Sequence, residues 1–253
     1  MRKIPGFLIP ALLLTGCVLS PCALPAAEIA AQASATLGLA SLPAEERGDL
    51  MMARGRYLEA VEAYREANQT AVVLNKMGIA YQHLSAVDLA RKDYQKALLI
   101  RPDYPEALNN LGAAYFAKRD YKKAIRLYQK ALKLMPDNAV IAANMGTAYF
   151  ARRDYRRGLA AYQRAFQLDP GVFGSDTSHL VPAPSDRVDR AQQDFCIAEL
   201  FAQSGKLDLA VEYLRKAFDE GFKDRSKVME EKAFAQLRTT AQFAQLMAEE
   251  KQH

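Results

Sequence analysis

The side chains that could do chemistry are few and scattered. Histidine occurs only at His83, His179 and His253, and cysteine only at Cys17, Cys22 and Cys196. The chain has no His-Glu-x-x-His, no Gly-x-Ser-x-Gly, no glycine-rich phosphate loop and no paired-cysteine metal pattern. Cys196 has no histidine near it and reads as a small buried apolar residue. The expectation is therefore a protein that is not an enzyme and needs no metal and no cofactor. A formal charge of +5 is too small to imply nucleic acid without a concentrated patch, and no nucleic-acid partner is expected. Half of the residues are hydrophobic and a quarter are charged, which suits a folded soluble chain rather than a disordered or membrane-embedded one.

One cysteine does sit where chemistry is expected. Arg2 and Lys3 precede an apolar run from Ile4 to Leu19, which Pro5 and Pro10 interrupt and which is shorter than the ~20 residues of a spanning helix. With no acidic residue before Glu28, residues 1–27 read as a secretory signal peptide and 28–42 as an alanine-rich tether. Leu14-Thr15-Gly16-Cys17 resembles the bacterial lipobox. That resemblance implies acylation of Cys17, and several acyl chains together give lasting membrane attachment. The chain is expected to be exported, as a periplasmic or outer-membrane lipoprotein, with soluble secretion as the alternative.

The elements behind these residues are set by a repeat. Pro102, Pro136 and Pro170 are spaced 34 residues apart, and so are Met77-Gly78, Leu111-Gly112 and Met145-Gly146. Tyr81, Tyr115 and Tyr149 keep the register, as do Tyr94, Tyr128 and Tyr162, and Ala97, Ala131 and Ala165. Within residues 105–138, Leu111, Gly112 and Tyr115 fall on one face of a first helix, and Ala124, Tyr128 and Ala131 on one face of a second. Lys118-Arg119-Asp120 makes the turn, Pro136 stops the second helix, and Asp137 or Asn138 caps the next.

These columns resemble the tetratricopeptide-repeat (TPR) family across about residues 71–170. The resemblance implies an all-α solenoid of helical hairpins stabilised by stacking. TPR-like units one to four occupy 43–171, the first being atypical. An insertion or linker fills 172–190, read either as exposed or as folded back over the groove. Unit five occupies 191–223, and residues 224–253 supply capping helices through Phe234, Leu237, Phe243 and Leu246.

The same resemblance places a partner groove on the first helices, at Asn75, Ile79, Gln82, His83, Asn109, Ala113, Phe116, Thr147 and Phe150. Its nearly uncharged surface suits a protein or peptide partner, as a helix or an extended apolar segment. A carboxylate clamp of the chaperone-binding kind is not expected, because of the five corresponding places only Asn110 agrees. Residues 105–170 carry twelve basic against five acidic side chains. Lys118, Arg119, Lys122 and Lys123 recur as Arg152, Arg153, Arg156 and Arg157, forming a basic edge. That edge is read as a solvated face or as a contact for anionic lipid or envelope polymer. Nothing in the sequence fixes the oligomeric state.

Overall fold

In the computed structural model, residues 41–174, 180–182 and 186–249 are described, and they build a run of antiparallel helical hairpins. Helix α1 (Ala44–Ala53) pairs with α2 (Tyr57–Glu66), α3 (Ala71–His83) with α4 (Val87–Ile100), and α5 (Pro105–Ala117) with α6 (Tyr121–Leu134). Helix α7 (Ala139–Phe150) pairs with α8 (Tyr155–Leu168), and α9 (Arg187–Gln203) with α10 (Leu207–Asp219). The chain closes with α11 (Arg225–Glu230), two short 3-10 turns and α12 (Ala241–Glu249). No helix among the described residues is long and apolar enough to cross a membrane. Cys17 and the segments 1–27 and 28–40 lie outside the described residues, as do His179 and His253.

Local chemistry places the boundaries. Helices α4, α6 and α8 each end two residues before Pro102, Pro136 and Pro170. Proline disfavours helical backbone in the residue ahead of it. Thr70, Asp120, Asn138 and Asp154 cap the following helices by accepting from the N–H three residues on. Of the two capping candidates after Pro136, Asn138 is the one that caps.

Packing inside each hairpin depends on a glycine. A Cβ on Gly78, Gly112 or Gly146 would lie 2.5, 2.7 or 2.3 Å from the ring of Tyr94, Tyr128 or Tyr162. A tyrosine of the second helix thus lies flat on bare backbone of the first, and all three tyrosines are fully buried. Neighbouring units are tied by the other tyrosine column. The hydroxyls of Tyr81, Tyr115 and Tyr149 accept from Arg65, Gln95 and Gln129 of the preceding unit at 2.7, 3.4 and 3.2 Å.

The last hairpin is anchored by its neighbours on both sides. Phe173 packs on Tyr162 with ring centroids 4.6 Å apart, and its carbonyl accepts from the Tyr213 hydroxyl at 2.8 Å. Phe234, Leu237, Phe243 and Leu246 are buried in the same core as Phe195 and Leu214 and cover the end of the array.

Candidate functional site

The first helices α3, α5 and α7 form the inner wall of the solenoid, and its most organised feature is a chain of asparagines. Asn144 Nδ2 donates to Asn109 Oδ1 at 3.1 Å, and Asn109 Nδ2 to Asn110 Oδ1 at 3.2 Å. Asn110 Nδ2 then donates to Asn75 Oδ1 at 3.0 Å. Every link points the same way, so each bond polarises the next, and Asn144 Oδ1 is left as the terminal acceptor. The repeat puts these amides in register: Asn109 follows Asn75 by one 34-residue period, and Asn144 follows Asn110.

That terminal acceptor is filled by the connection between α8 and α9. The Val181 backbone N–H donates to Asn144 Oδ1 at 2.8 Å. Val181 is buried in one apolar cluster with Leu108, Phe116 and Ile141, while Pro182 is exposed. Leu180, Val181 and Pro182 therefore run along the inner face, with Val181 turned inward and Pro182 open to solvent. A cavity of about 520 Å³ remains on one side of them, walled by Ile79, Gln82, His83, Asn109, Ala113 and Ala117. A second, of about 470 Å³, lies on the other side, walled by Thr147, Tyr162, Asp194, Tyr213 and Lys216. Burial pushes the Asp194 carboxyl up to about 6 in this second cavity.

The positions read from the sequence separate into three groups. Ile79, Gln82, His83, Asn109 and Ala113 wall the first cavity together, although His83 also stacks on Tyr57 at 4.4 Å. Asn75 is buried in the asparagine chain, and Thr147 is buried with its hydroxyl 2.9 Å from that of Tyr162. Phe116 and Phe150 do not wall the first cavity. Phe150 is 0% exposed and packs on Tyr155 and Tyr162, above Gly158, where a Cβ would come within 2.9 Å of its ring. Phe116 turns in the same way towards Tyr121, at 5.2 Å. The small column Ala124/Gly158 on the second helices opens the slot for these rings. The sequence left open whether 172–190 is exposed or folded back over the groove and did not single out Leu180, Val181 or Pro182, because a non-repeating segment leaves no periodic trace.

All eight cations of the basic edge are exposed. Lys118, Lys123, Arg153 and Arg157 are engaged with Asp88, Asp120, Asp186 and Asp154. Arg119, Lys122, Arg152 and Arg156 have no ion pair among the described residues. Arg119 and Arg153 occupy the left-handed position of their turns, both with φ of 60°.

Residues 69–137 match one tetratricopeptide-repeat family model and residues 115–172 match a second. The fold is a TPR solenoid. Solved structures with the same fold include MamA 41-end from Desulfovibrio magneticus RS-1, at 21% identity and a TM-score of 0.51. That likeness covers 73% of this chain and 94% of the other. A further MamA crystal structure is 21% identical with a TM-score of 0.50, covering 74% and 93%. At that identity the likeness concerns the TPR fold alone. No curated protein matches the sequence significantly. Within the TPR array, the family matches stop before the α9–α10 hairpin, whose columns differ in residue type.

Proposed function

We propose that the protein is a non-catalytic scaffold whose inner TPR face binds an extended segment of a partner protein. One observation carries the reading: the asparagine chain ends in an acceptor, Asn144 Oδ1, that holds a backbone N–H within the groove. The open end of the amide row takes a main-chain donor, and the flanking apolar wall of Ile79 and Ala113 supplies room for alternate side chains. The scaffold acts in the cell envelope, held there by acylation of Cys17. Intact mass spectrometry of membrane and soluble fractions beside a Cys17→Ala variant tests that location. An unacylated soluble mature protein would remove the anchor from the account.

In-cell photocrosslinking tests the groove. A photoreactive residue at Gln82, on the cavity wall, should give a partner adduct that Ala117→Arg abolishes. One at Lys130, exposed on the second helix α6, should give none. Equal adducts from both positions would refute groove binding.

Arg119, Lys122, Arg152 and Arg156, without an ion pair among the described residues, favour a second reading, in which the basic edge contacts an anionic lipid or envelope polymer. Association through that edge falls steeply with salt, and Arg152→Glu with Arg156→Glu removes it. Association that ignores salt excludes the second reading.

A further inference from the structure

The connection between α8 and α9 occupies the same face that the scaffold would offer to a partner. Its seat has the properties of a bound peptide rather than of core. Val181 joins the buried apolar cluster that contains Leu108, Phe116 and Ile141, its N–H is held by Asn144, and open volumes of about 520 and 470 Å³ adjoin residues 180–182. Pro182, next in line, carries no N–H that would need a partner. The chain is fastened before and after this point by other contacts. Phe173 is pinned by Tyr162 and Tyr213, and Arg187 and Arg190 pair with Glu220. Leaving the groove therefore does not require either neighbouring hairpin to open.

We propose that Leu180-Val181-Pro182 is a built-in occupant of the inner face. Partner segments of the same chemistry, extended and apolar with a branched residue ahead of proline, bind by displacing it from Asn144. The proposal rests on the peptide-groove reading above and adds its regulation. Asn144 is almost fully buried with the occupant seated, so its carbonyl oxygen exchanges the Val181 N–H for water or for a partner's N–H when the occupant leaves. The acceptor therefore suits an incoming backbone N–H. A tethered occupant competes at an effective concentration in the millimolar range. An occupant seated nine-tenths of the time or more lowers the apparent affinity of a partner about tenfold or more.

The test uses the full chain and a fluorescein-labelled peptide copying residues 178–184, followed by fluorescence anisotropy. Val181→Asp, which expels the occupant, should bind the peptide at least tenfold more tightly than the wild type. Adding Asn144→Ala should abolish that gain. Far-UV circular dichroism checks helicity. If Val181→Asp does not fold, the triple replacement of Leu180, Val181 and Pro182 by glycine serves in its place. Equal affinity for wild type and variant would overturn the internal occupant while leaving the groove reading intact. Failure of the peptide to bind any folded variant would overturn both. A wild-type mass on size exclusion twice that of Val181→Asp would assign the occupant to a second copy of the chain, and the internal assignment would fall.

Discussion

The hairpins α3–α8 and the hairpin α9–α10 solve one packing problem in two ways. In the first region a glycine and a tyrosine sixteen residues apart face each other: Gly78 and Tyr94, Gly112 and Tyr128, Gly146 and Tyr162. In the second, Ala198 and Leu214 hold the same spacing, and both are 0% exposed. A methyl gained on one helix is offset by a smaller side chain on the other. Between units the contrast continues. Tyr149 accepts a hydrogen bond from Gln129, whereas Phe201, in the matching column, packs edge-on against Phe166 at 5.6 Å. What the fold preserves is summed volume at the helix crossing, not residue type. That is why the periodic columns fade after residue 172 while the architecture continues.

The sharpest way to break this comparison is to swap its halves. Gly146→Ala places a Cβ 2.3 Å from Tyr162 and 3.2 Å from the Gly158 carbonyl. It should cost about 2–3 kcal/mol by urea unfolding. Adding Tyr162→Leu, which imports the pair found at Ala198 and Leu214, should recover much of that, with a coupling of about 1–3 kcal/mol. Strictly additive losses would show that the two pairs are not equivalent.

A smaller effect separates the regions by pH. Burial, reinforced by the neighbouring Glu231, pushes the Glu199 carboxyl up to about 8 from an ordinary 4.5. The folded state holds this proton more tightly than the unfolded one. The associated stability is complete below pH 4.5 and is lost as pH rises towards 8. Between pH 5 and 8 the wild type should lose about 2 kcal/mol that Glu199→Gln keeps. Parallel pH profiles for the two proteins would contradict the assignment.

A finer contrast lies within the regular hairpins. The Tyr162 hydroxyl bonds Thr147 and that of Tyr94 bonds Gln82, but the Tyr128 hydroxyl is buried without a partner among the described residues. Ala113 and Phe116 stand at the corresponding positions of its unit. Tyr162→Phe should cost about 1 kcal/mol, while Tyr128→Phe should be neutral or slightly stabilising. The smallest effect concerns the turns. Arg119 adopts φ of 60° where the last hairpin has Gly205 at 76°. Arg119→Gly should raise stability by up to about 1 kcal/mol in thermal unfolding.

Periodic features were the legible ones. The proline spacing marked the ends of α4, α6 and α8, and the Gly112 and Tyr128 columns marked the faces on which α5 and α6 meet. The asparagine ladder was legible in principle, since Asn75/Asn109 and Asn110/Asn144 share the same period. The direction of Phe116 and Phe150 was not. A first-helix position states which face a residue occupies, but a long ring can turn towards its own hairpin when the partner helix offers Ala124 or Gly158. The seat of Val181 was hidden for a different reason, because irregular chain has no period to extrapolate.

Amide hydrogen exchange at Val181, read by NMR in the wild type and in Asn144→Ala, tests the central claim most directly. The account predicts that the Val181 N–H is protected at least a hundredfold in the wild type and loses most of that protection when the Asn144 acceptor is removed. A Val181 amide that exchanges in the wild type as fast as an unstructured peptide would contradict it.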